Sequence, residues 1–180
     1  MRAPVTTVFL DRDGVINRKL PEGEYVGGVE EFEPLPGAIE AIAEISRSGL
    51  RVVVVTNQQG VGKGIIDASA LDLVHAHLTD EVEAAGGQIE QIQVCPHLEG
   101  SCNCRKPATG LFEQARAQNA AISFAESVVI GDSPSDIEAA GRIGAKAIRV
   151  APAGTVDADA AAVVPDLASA AGLVLGVARV

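Results

Sequence analysis

Short apolar runs at about 5–10, 51–56, 89–94, 127–131 and 146–150 recur along the chain. In Arg51-Val52-Val53-Val54-Val55-Thr56 every interior position is apolar, as a strand buried on both faces requires. Between the runs lie helical patterns. Ile39, Ile42 and Ile45 follow Pro36 at helical spacing and stop at Gly49. Asp67 is placed to cap a helix over 68–85 with Leu71, Val74, Leu78 and Val82 on its apolar face, ended by Gly86-Gly87. Further helices are predicted over 108–119, 135–143 and 166–175, the last after a break at Pro165 in an Ala-rich tail. Strands alternating with amphipathic helices give an α/β, Rossmann-like three-layer sandwich with a central, mostly parallel sheet. With 180 residues, 47% of them hydrophobic, the chain fills one domain, 1–180. The segment 14–35 reads as a long loop over the sheet end, with room for a small hairpin. No gap between the predicted elements is large enough to hold a large cap domain.

A formal net charge of -10 argues against a nucleic-acid partner, which needs a basic footprint. No apolar run reaches the ~18 residues of a membrane span, and the N-terminus lacks a secretory apolar segment. The chain is therefore expected to be cytoplasmic, away from membranes, and by default a monomer.

Polar residues gather at the strand ends, where such sheets bind ligands. The first strand delivers Asp11 and Asp13, followed by Gly14; the second delivers Thr56 and Asn57. Arg105-Lys106 precedes a helix, and Asp132 and Asp136 follow the 127–131 strand. Two nearby carboxylates repel unless a cation lies between them, and Mg²⁺ prefers hard oxygen ligands. Asp11, Asp13 and Asp132 are the expected Mg²⁺ ligands. Asp11, on the rigid strand end, is the expected nucleophile toward phosphorus. Asp13 is placed to act as general acid and then base. Thr56, Asn57 and Lys106 offer a hydroxyl, an amide and a point charge to phosphoryl oxygens. Gly14 lets the backbone approach closely, and Asp136 either meets a metal-bound water or holds Lys106. Arg105, Lys63 and Arg18 are candidate contacts for a second anionic group on a small phosphorylated metabolite. The rival class is a phosphate-sensing domain that accepts a phosphoryl group without turnover.

Cys95, His97, Cys102 and Cys104 form a Cys-x-His-x₄-Cys-x-Cys cluster. Three thiolates and an imidazole suit tetrahedral Zn²⁺, and with all four positions filled the site is structural. A redox pair at Cys102/Cys104 and incidental free thiols are the alternatives. The loop 95–104 ends directly before Arg105-Lys106, so a bound metal would fix those two charges. His75 and His77, two apart on a helix, do not share a face and read as ordinary surface or partly buried residues.

Taken together, these segments resemble the haloacid-dehalogenase-like phosphatase superfamily over about 5–150. Its four motifs are matched by Asp11 and Asp13, by Thr56, by Lys106, and by Asp132 and Asp136. The resemblance implies a Mg²⁺-dependent phosphomonoester hydrolase with an aspartyl-phosphate intermediate, in which Asp13 reaches the metal through its backbone carbonyl. Cys95-Pro96-His97 and Cys102-Asn103-Cys104-Arg105-Lys106-Pro107 are similar to a zinc-loop subgroup containing heptose-1,7-bisphosphate 7-phosphatases and histidinol-phosphate phosphatases. The short loop is nearer the histidinol type. The segments 31–37 and 55–64, with Lys63-Gly64, are nearer the heptose type, whose members imply a sugar-phosphate contact for Arg105 and often carry Lys where Ser133 stands. The heptose bisphosphate is the expected substrate, with histidinol phosphate the alternative.

Overall fold

In a computed structural model, which describes residues 4–178, six strands form one sheet. They are β1 (Thr7–Leu10), β2 (Arg51–Asn57), β3 (Gln91–Cys95), β4 (Ser127–Gly131), β5 (Lys146–Val150) and β6 (Ala162–Val164). The order is β3-β2-β1-β4-β5-β6, and every neighbouring pair is parallel. The chain crosses from one half-sheet to the other between β1 and β4, and there the carboxyl ends of the strands open a crevice.

The helices are α1 (Ala38–Arg47), the single turn α2 (Gln59–Gly62), α3 (Ala68–Ala84), α4 (Gly110–Gln118), α5 (Pro134–Ile143) and α6 (Leu167–Ala178). Apolar faces of α1, α3 and α6 pack with Val8, Leu10, Val52 and Val54 on one side of the sheet. On the other side α4 and α5 pack with Phe9, Val53, Val55 and Val129. Phe9 and Phe112 meet edge to face there at 5.0 Å. This alternation is the pleat of the strands. Extended by two residues, it aims Asp11 toward the α4/α5 layer and Arg12 toward the α1/α3/α6 layer.

Three features depart from the expectations. Asp67 stands at the N-cap of α3 with extended backbone, but its side chain makes no capping hydrogen bond. The segment 14–35 carries no hairpin strands, although its ends are tied by Arg18 N to Glu33 O and Leu35 N to Ile16 O, both 2.8 Å. β6 was not foreseen, because a half-buried edge strand of three residues in an Ala-rich stretch has little pattern to show. Among the described residues no helix is long and apolar enough to cross a membrane.

Candidate active site

Beyond β1 the chain keeps its strand bonding for one residue, with Asp11 N donating to Ile130 O at 2.9 Å. This fixes Asp11 where β1 and β4 part. Its Oδ1 accepts from Arg12 N and faces Lys106 Nζ, each at 2.8 Å. Lys106 Nζ also donates to Val55 O at 2.8 Å and lies 2.6 Å from Asp136 Oδ1. Of the two roles open to Asp136, the geometry shows the hold on Lys106. Its Oδ2 accepts from Ser133 N at 3.1 Å and Ser133 Oγ at 2.7 Å, in the capping box that starts α5. Gly131 makes room for it, since a Cβ there would stand 2.2 Å from Asp136 Cβ.

The three charges do not titrate alike. Burial pushes Asp11 up from 3.8 to about 7; the Lys106 ammonium opposes this and the Asp136 charge adds to it. Burial also works to raise Asp136, but the Lys106 ammonium and the bonds from Lys106 and Ser133 outweigh it and hold it down. Burial would lower Lys106, yet the two carboxylates keep it protonated above its ordinary range. An acid raised in the folded state costs nothing below its unfolded pKa, and the cost is complete once pH passes the folded value. Metal-free protein should therefore lose stability relative to Asp11→Asn as pH rises from 3.8 toward about 7. Denaturant titrations in chelator at about pH 5 and about pH 8 should show the gap widening at the higher pH. An unchanged gap would contradict the assignment.

Asp132 follows β4 directly. Its Oδ2 pairs with Lys19 Nζ at 2.7 Å, while its Oδ1 is buried with no hydrogen-bond partner among the described residues. Carboxylate oxygens of Asp11, Asp132 and Asp136 lie within 4.8 Å of one another. A Cβ on Gly14, whose φ is +90°, would stand 2.4 Å from Asp132 Oδ2. The hard oxygens, the unpartnered Oδ1 and the space kept by Gly14 together fit Mg²⁺. The Asp13 carboxylate is absent from this group.

Instead it is gripped from three directions. Oδ1 accepts from Arg12 Nη2 at 2.9 Å and Asn17 Nδ2 at 2.9 Å, and Oδ2 accepts from Gln58 Nε2 at 2.7 Å. Burial would raise Asp13, but the Arg12 charge and these donors outweigh it and hold it below its usual range. Gln58 Nε2 also donates to Thr56 Oγ1 at 2.8 Å. Thr56 is fully buried, so its hydroxyl stands behind the cleft rather than on its lining. Asn57 does line the cleft, but its amide clips the Lys106 backbone, donating to Lys106 O at 3.1 Å and accepting from Lys106 N at 3.0 Å.

The cleft above these groups has a volume of about 300 Å³. Arg105 lines it, with Nη1 buried and unpartnered among the described residues. Lys63 stays outside the lining, tied to the rim by a 2.9 Å bond to Tyr25 Oη. Arg18 is not brought to the site: it pairs with Glu33 at 2.7 Å on the exposed side of the loop. Its neighbour Lys19 lines the cleft instead, with Nζ on Asp132 Oδ2. Sequence reasoning also passed over Arg12, Asn17 and Gln58. Asn17 had a signal, an amide four residues after Asp13, and Gln58 had one in its place two residues after Thr56. His75 is buried rather than on the surface, bonded to Arg12, and burial holds it down at about 4.

Cys95 ends β3 and His97 follows it, and Cys102 and Cys104 close the loop beside them. Cys104 Sγ lies 3.2 Å from both Cys95 Sγ and His97 Nδ1, and 3.4 Å from Cys102 Sγ. Cys95 Sγ is 3.6 Å from Cys102 Sγ and 3.7 Å from His97 Nδ1. A tetrahedral zinc with bonds near about 2.3 Å spaces sulfurs about 3.7 Å apart, so the convergence fits one ion. The loop is bonded to both halves of the site. Arg105 N points at Cys102 Sγ at 3.4 Å, and Gln58 N donates to Cys95 O at 2.7 Å.

Residues 103–170 match the HAD-hydrolase-like family. The chain is 43% identical over 141 residues, 78% of this chain and 74% of the relative, to a D-glycero-alpha-D-manno-heptose-1,7-bisphosphate 7-phosphatase of Mycobacterium tuberculosis. It is 39% identical over 144 residues, 79% of this chain and 81% of the relative, to a D-glycero-beta-D-manno-heptose-1,7-bisphosphate 7-phosphatase of Pseudomonas putida. Among solved structures, a D,D-heptose 1,7-bisphosphate phosphatase from B. bronchiseptica, complexed with magnesium and phosphate, superposes with a TM-score of 0.86. That likeness covers 96% of this chain and 99% of the other at 29% identity.

Proposed function

The chain belongs to the haloacid-dehalogenase-like phosphatases, closely related to the heptose-1,7-bisphosphate 7-phosphatases, and from that premise we propose that it removes the 7-phosphate of D-glycero-D-manno-heptose 1,7-bisphosphate. One observation carries the reading. Asp11 stands at the floor of the cleft, held by Lys106 and facing Asp132 across the β1/β4 crevice, with Arg105, whose Nη1 has no partner among the described residues, on the wall.

Asp11 and Asp132, with the backbone carbonyl of Asp13, hold Mg²⁺, which when bound neutralises the carboxylates and charge on the phosphoryl oxygens. Asp11 attacks the phosphorus and the bond to the sugar oxygen breaks, leaving an aspartyl phosphate. The departing oxygen takes a proton from Asp13. Like-charge repulsion from an incoming phosphate raises an acid, which opposes the donors that keep Asp13 ionised in the empty cleft. Water then attacks the phosphorus, its proton returns to Asp13, and inorganic phosphate leaves with Asp11 restored. Lys106 supplies a fixed positive charge beside the reacting oxygens. Asn57 acts by clamping the Lys106 backbone, and Thr56 by supporting Gln58. Arg105 meets the second phosphate, while Lys63 and the Tyr25 ring border the mouth.

Cys95, His97, Cys102 and Cys104 hold a structural Zn²⁺. Thiolates free to bind metal persist in a reducing compartment, which supports a cytoplasmic location. Elemental analysis of protein purified without chelator should find about one zinc per chain. A chelator strong enough to strip it should unfasten the Arg105-Lys106 segment and abolish turnover. Zinc-free protein of full activity would contradict this.

The substrate is tested by kcat/KM for both anomers of heptose 1,7-bisphosphate beside histidinol phosphate, with Mg²⁺. A preference of about a hundredfold, about 2.7 kcal/mol, is expected for a bisphosphate. The reverse preference would direct attention to Glu22 and Glu24, acids at the mouth that suit a cationic amine.

A further inference from the structure

We propose that His75 is a positioning residue of this reaction, holding the Arg12 guanidinium in the orientation that grips the Asp13 carboxylate. The proposal rests on the phosphatase reading above. Arg12 is 0% exposed, the largest fully buried side chain among the described residues, and His75 is 8% exposed. A buried guanidinium is tolerated only where its donors are satisfied. Nη2 lies 2.9 Å from Asp13 Oδ1 and 3.2 Å from Oδ2, and Nε lies 3.3 Å from Oδ1. Nη1 is turned away from Asp13 and meets His75 Nε2 at 3.1 Å.

Arginine has donors only, so Nε2 must present its lone pair, and the ring proton sits on Nδ1. His75 lies on the buried face of α3, between Leu71 and Leu78, and has little freedom to move. It thus fixes one end of the guanidinium fork while Asp13 occupies the other. Without it Nη1 loses its acceptor, and the fork can rotate off Asp13. Asn17 and Gln58 would remain, so Asp13 would be displaced rather than released. Displacement of a proton-transferring group by about 1 Å costs on the order of a hundredfold in rate. That loss falls on the two proton transfers and spares phosphate binding.

The test compares His75→Phe and His75→Gln with the wild-type, Mg²⁺-loaded enzyme on a sugar phosphate and on p-nitrophenyl phosphate. His75→Phe should lower kcat on the sugar phosphate by about tenfold or more, with KM within about twofold. An aryl leaving group needs no proton, so its first turnover should be spared. A burst of nitrophenol should then appear as aspartyl phosphate accumulates. His75→Gln, whose amide oxygen can still accept from Nη1, should recover most of the rate. Where His75→Phe does not fold, His75→Asn, polar but too short to reach Arg12, carries the same expectation. A kcat within about twofold of wild type, or equal slowing of both substrates with no burst, would overturn the role. Wild-type protein inert on the sugar bisphosphate would overturn the substrate reading instead, and the aryl phosphate would still report on His75.

Discussion

Asp11→Asn should leave a folded protein whose phosphatase turnover is lower by about 10⁴-fold or more, about 5.5 kcal/mol in the barrier. The amide is nearly isosteric, so packing at the end of β1 is kept. It cannot displace an alkoxide from phosphorus, and the nearby carboxylates among the described residues are engaged elsewhere, Asp132 with Lys19. Asp136 is bound to Lys106 and to Ser133, and Asp13 is turned onto Arg12, Asn17 and Gln58. Far-ultraviolet circular dichroism with a phosphate-release assay separates lost chemistry from lost fold. Turnover within about tenfold of wild type would mean that Asp11 does not form the covalent bond.

Lys106→Met has the second largest effect, and it reaches stability as well as rate. The ammonium lies 2.8 Å from Asp11 and 2.6 Å from Asp136, and both carboxylates are buried. Removing it leaves two unpaired buried acids facing each other, at a cost of about 3–5 kcal/mol. The loss should be greatest where both acids are ionised and should shrink as pH falls and they take up protons. Turnover should drop by about 10²–10³-fold as the fixed charge beside the phosphoryl oxygens disappears. Adding Asp136→Asn should return part of the stability and none of the rate. Equal stability of Lys106→Met and wild type at neutral pH would contradict the buried triad.

Most of this site was legible because the chemistry attaches to strand ends. The pleat and the parallel order bring Asp11, Thr56, Lys106 and Asp132 to one edge of the sheet, and apolar runs in a sequence reveal both. The cysteine loop was legible for a similar reason, since its four ligands are close in sequence. Side-chain direction in the irregular loop was not. Arg18 and Lys19 are adjacent basic residues, and contacts distant in sequence, Arg18 with Glu33 and Lys19 with Asp132, separate the one outside the cleft from the one that lines it. Arg12 and His75 stand 63 residues apart, in a strand end and a helix, and neither pattern refers to the other. The Asp67 cap failed for a local reason, because the residue type permits a bond that its side chain does not make.

The most direct measurement follows heptose 1,7-bisphosphate by phosphorus NMR with wild-type protein and Mg²⁺. The 7-phosphomonoester signal should be lost, matched by growth of inorganic phosphate, while the anomeric phosphate persists. Loss of the anomeric signal first, or both signals unchanged beside a protein folded and loaded with metal, would contradict the proposed function.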